Sequence, residues 1–184
     1  DNRGSFGVRR VDDPADVEDA FLHALMNSHS REVLVEAFID GIHLTVDGCF
    51  NSDGQHFNLG VASKKITTGN KPIITEVMYP AAISKEQLVH VLESNTKVIA
   101  ALGLKRGLTH SEYILDSVGR CFLLETANRG GGVLTSGLIL PEITGVDLNE
   151  LLVREALGEP FEVAPWETSK AAKLVFFIFA SGTV

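Results

Sequence analysis

Apolar residues recur along this chain at two spacings, one typical of helices and the other typical of strands. Helical spacing follows an Asp-Pro pair at Asp13, a capping box that begins at Ser84, and a further N-cap residue at Asp147. Glycines stand where the second and third of these helices should end. The predicted helices run from Asp13 to about Ser28, from Ser84 to about Gly103, and from Asp147 to about Gly158.

Short apolar stretches bounded by turn residues lie between these helices and predict strands. The predicted strands are Val33–Ile39, His43–Phe50, Asn58–Ala62, Ile73–Tyr79, Leu108–Leu115 and Arg120–Thr126. Several of them follow one another without an intervening helix, which indicates hairpins. A mixture of helices and hairpins favours an α+β fold over a doubly wound parallel sheet.

The composition is that of an ordinary globular protein, and it removes several classes of function. Hydrophobic residues make up 45% and charged residues 22% of the 184 residues, so a disordered chain is excluded. The formal net charge of −8 leaves no basic footprint for nucleic acid, and no apolar run approaches the roughly 20 residues of a membrane helix. We therefore expect no nucleic-acid partner and no membrane partner. The start at Asp1 carries no recognisable signal peptide and resembles the middle of a loop, so we expect a cytoplasmic protein and an excised fragment.

Two glutamates, Glu112 and Glu125, are the most informative local feature. If the last two predicted strands form a hairpin around Val118 and Gly119, these glutamates stand directly opposite each other. Opposed side chains have Cβ atoms about 4.5–5.5 Å apart, so two carboxylates there repel unless a cation lies between them or one is protonated. Magnesium fits, because it takes one or two carboxylates and completes its shell with phosphates and water. A register slip of one residue would instead separate the glutamates and leave each solvated, and both interpretations stay open.

The sequence around these glutamates resembles the metal-binding hairpin of ATP-grasp enzymes. The similarity lies in Leu108–Glu112 and in Phe122–Gly131, where an apolar run leads into a motif related to Glu-x-Asn-x-Arg. The resemblance implies that Glu112 and Glu125 bind magnesium. It also implies that Arg129 contacts the transferred phosphate or an acyl-phosphate intermediate.

The hairpin departs from the family motif at one position. Ala127 takes the place of the family's asparagine, and Asn128 follows one residue later. Asn128 is therefore only a candidate metal ligand, and the shell of a second magnesium ion is left open.

The first residues of the chain look like the flexible glycine-rich loop that covers the phosphates in the same family. In residues 2–8, Gly4, Ser5, Phe6 and Gly7 would approach the anion through backbone amides. The spacing alone is equally typical of a plain turn. Its position just before the Asp-Pro helix favours the phosphate loop.

Residues 33–41 resemble the strand that links the two lobes and contacts adenine. The resemblance assigns adenine contacts to Glu36, Ala37, Phe38 and Ile39, a ribose contact to His43, and adenine packing to Leu124. An exposed strand histidine and an ordinary core leucine are the alternatives for the last two. Lys64 and Lys65 could reach phosphates, although a solvated pair is the simpler interpretation. His110 shares the predicted face of Glu112 and is given no role.

The resemblance covers nearly the whole chain and implies an ATP-grasp fold, with two lobes of antiparallel or mixed sheet and a nucleotide between them. The expected division gives residues 1–36 to the smaller lobe, 37–158 to the larger lobe and 159–184 to a C-terminal extension. The implied cofactors are ATP and Mg²⁺, with Mn²⁺ as a substitute.

The implied activity is that of a ligase that converts a carboxylate into an acyl phosphate for attack by an amine or a similar nucleophile. A carboxylase-type subunit that uses bicarbonate and a non-catalytic nucleotide-binding subunit are the alternatives. The expected partners are therefore a small-molecule carboxylate and a nucleophile, with a homo-oligomer as a candidate assembly. The fragment alone is expected to be inactive.

Overall fold

The structure is a computed structural model that describes residues 6–67, 73–163 and 170–177. The helices are a 3-10 turn Pro14–Asp16, α1 Val17–Met26, α2 Lys85–Ala101, a π-helical turn Thr135–Ile139, α3 Leu140–Thr144 and α4 Leu148–Leu157. The strands are β1 Ile42–Phe50, β2 His56–Ile66, β3 Ile74–Tyr79, β4 Leu108–Leu115, β5 Cys121–Ala127 and β6 Ala172–Val175.

The strands form one antiparallel sheet in the order β5-β4-β1-β2-β3-β6. A tight turn joins β1 to β2, because Asn51 Oδ1 accepts hydrogen bonds from the N–H of Asp53 at 3.1 Å and of Gln55 at 2.8 Å. The order places β4, β1 and β2 side by side, with β5 at one edge. Side chains on the same face of these strands are therefore neighbours, although they are far apart in sequence.

Alternation along the strands gives the sheet two different faces. On one face, Val46 of β1 and Tyr113 of β4 belong to an apolar cluster that includes Val91 of α2. On the other face, Leu59 of β2 belongs to a cluster with Leu140 of α3. Polar side chains of β1, β2 and β4 also lie on this second face, and they form the candidate site.

Local sequence signals correctly predicted α1, α2 and α4, whereas α3 and the π-helical turn were not predicted. Ser84 Oγ accepts a hydrogen bond from Gln87 N at 3.2 Å, and Gln87 Oε1 accepts one from Ser84 N at 2.9 Å, which completes the predicted capping box. Asp147 caps α4 by accepting from the N–H of Asn149 at 2.9 Å and of Glu150 at 3.0 Å. The predicted α+β class is confirmed, because these helices pack on an antiparallel sheet.

The predicted strand Val33–Ile39 is wrong. These residues belong to no strand, and Leu34 and Val35 are 87% and 85% exposed. An apolar run becomes a strand only where a neighbouring strand satisfies its backbone N–H and C=O groups. No strand within the described ranges pairs with this segment, so its apolar composition was not sufficient.

The sheet corresponds to the predicted larger lobe, and one of its edge strands lies beyond the predicted limit of that lobe. Strand β6 pairs with β3, with Ala172 opposite Tyr79. Leu174 and Phe176 pack against the same apolar cluster as Leu140. The described part of residues 159–184 is thus continuous with the sheet, while the domain limits themselves stay predictions.

Candidate functional site

Glu112 and Glu125 are paired across the β4–β5 hairpin, as predicted. A hairpin that turns at Val118 and Gly119 would also pair Asp116 with Cys121, but Leu115 pairs with Cys121 instead, so the predicted register is wrong by one residue near the turn. A β-bulge next to Glu112 absorbs the difference and restores the expected pairing. The opposition of the two glutamates is confirmed, whereas the two-residue turn from which it was predicted is wrong.

Cationic side chains surround Glu112. Lys64 Nζ lies 2.6 Å from Glu112 Oε1, and His110 Nε2 lies 3.5 Å from the same oxygen. The Lys64 side chain is only 7% exposed, so the interpretation of a solvated lysine pair is wrong for Lys64. It is correct for Lys65, which is 72% exposed. Glu125 is exposed and forms no ion pair with any residue that the structure describes.

A buried carboxylate, Asp47, holds the other side of the His110 ring. Tyr79 Oη donates a hydrogen bond to Asp47 Oδ2 at 2.6 Å, and His110 Nδ1 donates to Asp47 Oδ1 at 2.7 Å. Asp47 and Tyr79 are each 1% exposed. Both oxygens of the carboxylate are used, so the imidazole is held with Nε2 directed toward Glu112.

Burial and neighbouring charges act in opposite directions on the titratable groups of the site. Burial alone would lower the pKa of His110, but its contacts with Asp47 and Glu112 outweigh burial and raise the pKa to about 9. Burial alone would raise the pKa of Glu112, but His110 and Lys64 lower it to about 2. Burial, followed by the adjacent Asp47 carboxylate, raises the pKa of Tyr79. At neutral pH Glu112 is therefore an anion between two cations.

The glycine-rich loop after β5 approaches the same face of the sheet. A Cβ atom placed on Gly131 would lie 2.7 Å from Asp47 Oδ1 and 3.0 Å from His110 Nδ1. Val133 and Leu134 follow in the left-handed region, with φ of 51° and 65°. Non-glycine residues in that region cost energy and are typical of functional sites. The loop is thus shaped to lie directly on the Asp47–His110 pair.

Arg129 and Asn128 connect the end of β5 to this loop. Arg129 is exposed, and its Nη1 donates to the carbonyl of the next residue at 2.9 Å. Asn128 Nδ2 donates to the backbone oxygens of Arg106 at 2.9 Å and Leu108 at 2.8 Å. An open cleft of about 620 Å³ lies beside these residues and is bounded by α4. The Asn128 amide thus links the end of β5 to the start of β4. Its role as a metal ligand stays a prediction.

The predicted phosphate loop is only partly described. Gly4 and Ser5 lie outside the described residues. Phe6 is 64% exposed, and Gly7 has a left-handed φ of 78° close to Asn27, just after α1. A left-handed glycine agrees with either a turn or a phosphate loop, so the role of these residues stays a prediction.

The predicted adenine and ribose residues are accessible from solvent. Glu36, Ala37 and Phe38 are exposed, and Ile39 is half-buried. The Arg10 guanidinium lies 4.0 Å from the centre of the Phe38 ring. Leu124 is 47% exposed on the edge strand, so it is not an ordinary core leucine. His43 is half-buried opposite Lys64, and burial followed by the Lys64 charge lowers its pKa.

Asp47, Tyr79 and the burial of Lys64 were not predicted from the sequence. Asp47 did carry a signal, because it is a charged residue in the middle of the apolar strand His43–Phe50. A charge in such a strand is buried only where a partner compensates it. The sequence does not reveal that partner, because register between distant strands is set by the fold.

Comparison with known proteins identifies the family. The sequence matches the model of the ATP-grasp domain over residues 1–137. The chain belongs to the ATP-grasp family. It is 28% identical over 163 residues to a D-alanine–D-alanine ligase of Parabacteroides distasonis, covering 83% of the chain and 47% of that ligase. It is 27% identical over 158 residues to a carbamoyl phosphate synthase large chain of Caldanaerobacter subterraneus subsp. tengcongensis, covering 85% of the chain and 14% of the synthase. The chain thus spans less than half the length of either relative.

Solved structures have the same fold. An L-amino acid ligase from Bacillus licheniformis matches 90% of this ATP-grasp chain and 41% of its own, with a TM-score of 0.76 and 25% identity. A biotin carboxylase from Campylobacter jejuni matches 94% of this chain and 39% of its own, with a TM-score of 0.77 and 16% identity. The second likeness shows the fold alone. The predicted ATP-grasp fold is confirmed. Among the described residues, no helix is long and apolar enough to cross a membrane.

Proposed function

We propose that the protein carrying this chain is an ATP- and magnesium-dependent ligase that activates a carboxylate as an acyl phosphate. An amine or a similar nucleophile then attacks the acyl carbon, and phosphate leaves. The observation that carries the proposal is the pairing of Glu112 with Glu125 on a hairpin that continues into Arg129 and a glycine-rich loop. Membership of the ATP-grasp family, and likeness to proteins named as ligases of D-alanine and of L-amino acids, support it.

The residues at the hairpin fit a magnesium ion that arrives with a nucleotide. Glu112 and Glu125 supply one carboxylate each from opposed positions, and magnesium takes one or two carboxylates with phosphates and water. No group of three or more His, Cys, Asp or Glu side chains in the described ranges is arranged to hold a metal. The donor set therefore agrees with a metal that is completed by phosphate oxygens rather than with a closed structural site. Mn²⁺ takes the same oxygen ligands and should substitute.

The proposed catalysis consists of positioning and charge neutralisation. Magnesium bound at the glutamates would neutralise the β- and γ-phosphates of ATP. Arg129 would stabilise negative charge on the transferring phosphoryl group through its guanidinium. The other predicted contacts belong to the same proposal: Gly4, Ser5, Phe6 and Gly7 on the phosphates, Glu36, Ala37, Phe38, Ile39 and Leu124 on adenine, and His43 on the ribose.

The nature of the nucleophile is the finer part of the proposal. The names of two relatives, a D-alanine–D-alanine ligase and an L-amino acid ligase, support an amine. Product analysis with amino acids on one side and bicarbonate on the other separates an amide-forming ligase from a carboxylase. A cytoplasmic location and assembly as a homo-oligomer remain predictions that accompany this activity.

Magnesium-dependent nucleotide binding tests the proposal directly. Calorimetric titration of ADP into the whole protein, with and without Mg²⁺, compares the wild type with a Glu112→Ala/Glu125→Ala variant. We expect magnesium to tighten ADP binding in the wild type and to have no effect in the variant. For turnover, Glu125→Gln should abolish ATP-dependent ligation while Glu93→Gln, which removes an exposed charge from α2, leaves it unchanged. Binding that ignores both magnesium and the two glutamates would refute the ligase assignment.

A further inference from the structure

Lys64 is a buried cation at the centre of the sheet. It lies on β2, and its side chain is 7% exposed with Nζ 2.6 Å from Glu112 Oε1. Its neighbour Lys65 points to the opposite face, is 72% exposed and lies 3.7 Å from Glu76. A lysine is almost never fully buried unless a negative group compensates its charge. Among the described residues, Glu112 is the carboxylate within ion-pair distance of Lys64.

The oxygen that Lys64 contacts is one that the proposed magnesium ion would use, and the inference in this section rests on that proposed function. A divalent cation on Glu112 Oε1 would lie less than about 5 Å from the ammonium, where like charges repel strongly in a partly buried site. His110 Nε2 already lies 3.5 Å from the same oxygen. Lys64 and the metal are therefore competitors for Glu112.

Once displaced from Glu112, Lys64 has no other carboxylate within ion-pair distance among the residues that the structure describes. Asp47 already accepts hydrogen bonds from Tyr79 at 2.6 Å and from His110 at 2.7 Å. The residue opposite Lys64 on β1 is His43, which supplies no negative charge. A buried ammonium that loses its counter-ion is strongly destabilised. Charge balance at this face therefore requires that an anion arrive together with the metal.

We propose that Lys64 exchanges partners: it holds Glu112 in the metal-free protein and binds a phosphate oxygen of the nucleotide when the metal occupies Glu112. The exchange makes the site accept metal and polyphosphate together. A metal ion alone has to displace Lys64 without compensation, and a nucleotide alone meets a lysine that is already paired. The two ligands should therefore bind with positive cooperativity, and Lys64 should be the origin of that coupling.

Two titrations of Lys64→Met in the whole protein test the exchange, with Lys65→Met as the matched control. Mn²⁺ alone, counted by electron paramagnetic resonance, should bind about tenfold more tightly to Lys64→Met, because its competitor is gone. ADP in saturating Mg²⁺ should bind about tenfold more weakly, because its phosphate contact is gone. Lys65→Met should leave both affinities at the wild-type value. Effects of opposite sign at one position are not expected from a residue that only supports the fold.

Weaker binding of both ligands to Lys64→Met, or wild-type affinity for both, overturns the exchange. If thermal unfolding shows that Lys64→Met does not fold, Lys64→Gln is measured with the same expectations, since it keeps a hydrogen-bond donor without the charge. Glu112→Ala separates this inference from the proposed function. Loss of the magnesium effect in Glu112→Ala combined with unchanged affinities in Lys64→Met refutes the exchange and leaves the metal site intact. A magnesium effect that survives in Glu112→Ala removes the metal site itself, and the exchange with it.

Discussion

Replacing Gly131 with alanine should break the contact between the glycine-rich loop and the buried pair beneath it. The added Cβ would lie 2.7 Å from Asp47 Oδ1, 2.9 Å from Thr135 Cγ2 and 3.0 Å from His110 Nδ1. All three are side-chain atoms of buried residues, and the Asp47 and His110 atoms are hydrogen-bonded to each other, so they cannot all move aside as the tip of a flexible side chain would. Either the loop lifts off the sheet, or the Asp47–His110 hydrogen bond opens.

The cost of the substitution can be bounded from these contacts. Forcing one extra methyl into a packed site costs about 1–3 kcal/mol, and losing a hydrogen bond between charged groups costs about 1.5–3 kcal/mol. The two costs arise at contacting residues and do not simply add, because either response relieves part of the clash. We therefore expect the free energy of unfolding to fall by about 2–4 kcal/mol. For a domain of this size that loss corresponds to a Tm lower by about 5–10 °C.

Thermal unfolding of the whole protein, with Gly132→Ala as the control, measures this loss. A Cβ on Gly132 would meet no atom within 4 Å, and its φ lies outside the left-handed region. Gly132→Ala should therefore change stability by less than about 0.5 kcal/mol, as substitutions away from packed features usually do. Equal Tm values for the two alanine variants would refute the placement of the loop on Asp47 and His110.

Two further predictions concern the charge of His110 and the cap of α2. The pKa of His110 is raised from 6.5 to about 9, so its contribution to stability is complete below pH 6.5 and lost as the pH rises through about 9. The destabilisation caused by His110→Gln, measured by urea unfolding, should therefore be largest at pH 6 and shrink toward pH 10; a constant difference would contradict the imidazolium. Ser84→Ala should lower the free energy of unfolding by about 1 kcal/mol, and Ser84→Asp should not; equal losses would contradict the capping box.

The sequence predicted the glutamate pair by a route that was partly wrong. A hairpin with a two-residue turn puts Glu112 opposite Glu125, but Asp116 organises a longer loop by accepting from the N–H of Val118 at 3.1 Å and of Arg120 at 2.8 Å. That loop shifts the register by one residue, and the bulge next to Glu112 shifts it back. Turn residues reveal where a hairpin closes, whereas a bulge depends on twist and on packing against the next strand.

The segment Val33–Ile39 shows the opposite limit. Its apolar residues predict a strand, yet Phe38 is 61% exposed and the segment pairs with no strand that the structure describes. The hydrophobic composition of a segment indicates how much free energy it would gain from burial. It does not indicate whether a neighbouring strand or helix is present to bury it. Leu124 is a second example, because it is apolar but lies on the edge strand β5 and is 47% exposed.

The network of Asp47, Lys64, His110 and Glu112 shows why the face on which a strand residue lies is easier to predict than its contacts with other strands. Alternation along β4 already puts His110 and Glu112 on one face, because the side-chain period of a strand is 2. Asp47 of β1 and Lys64 of β2 join that face only through the pairing of the strands. The contacts of these four residues join β1 to β4 and, across β1, β2 to β4. Both contacts depend on the pairing of β1 with β4, which no local turn specifies. Shifting one strand by a single residue would turn its charge into the apolar cluster against α2, at a cost of several kcal/mol for an unpaired buried ion. The ion pairs of Asp47 with His110 and of Lys64 with Glu112 thus help to fix the register of β1, β2 and β4, although the sequence did not reveal these pairs. Neutralising Asp47 should loosen that register as well as the position of His110.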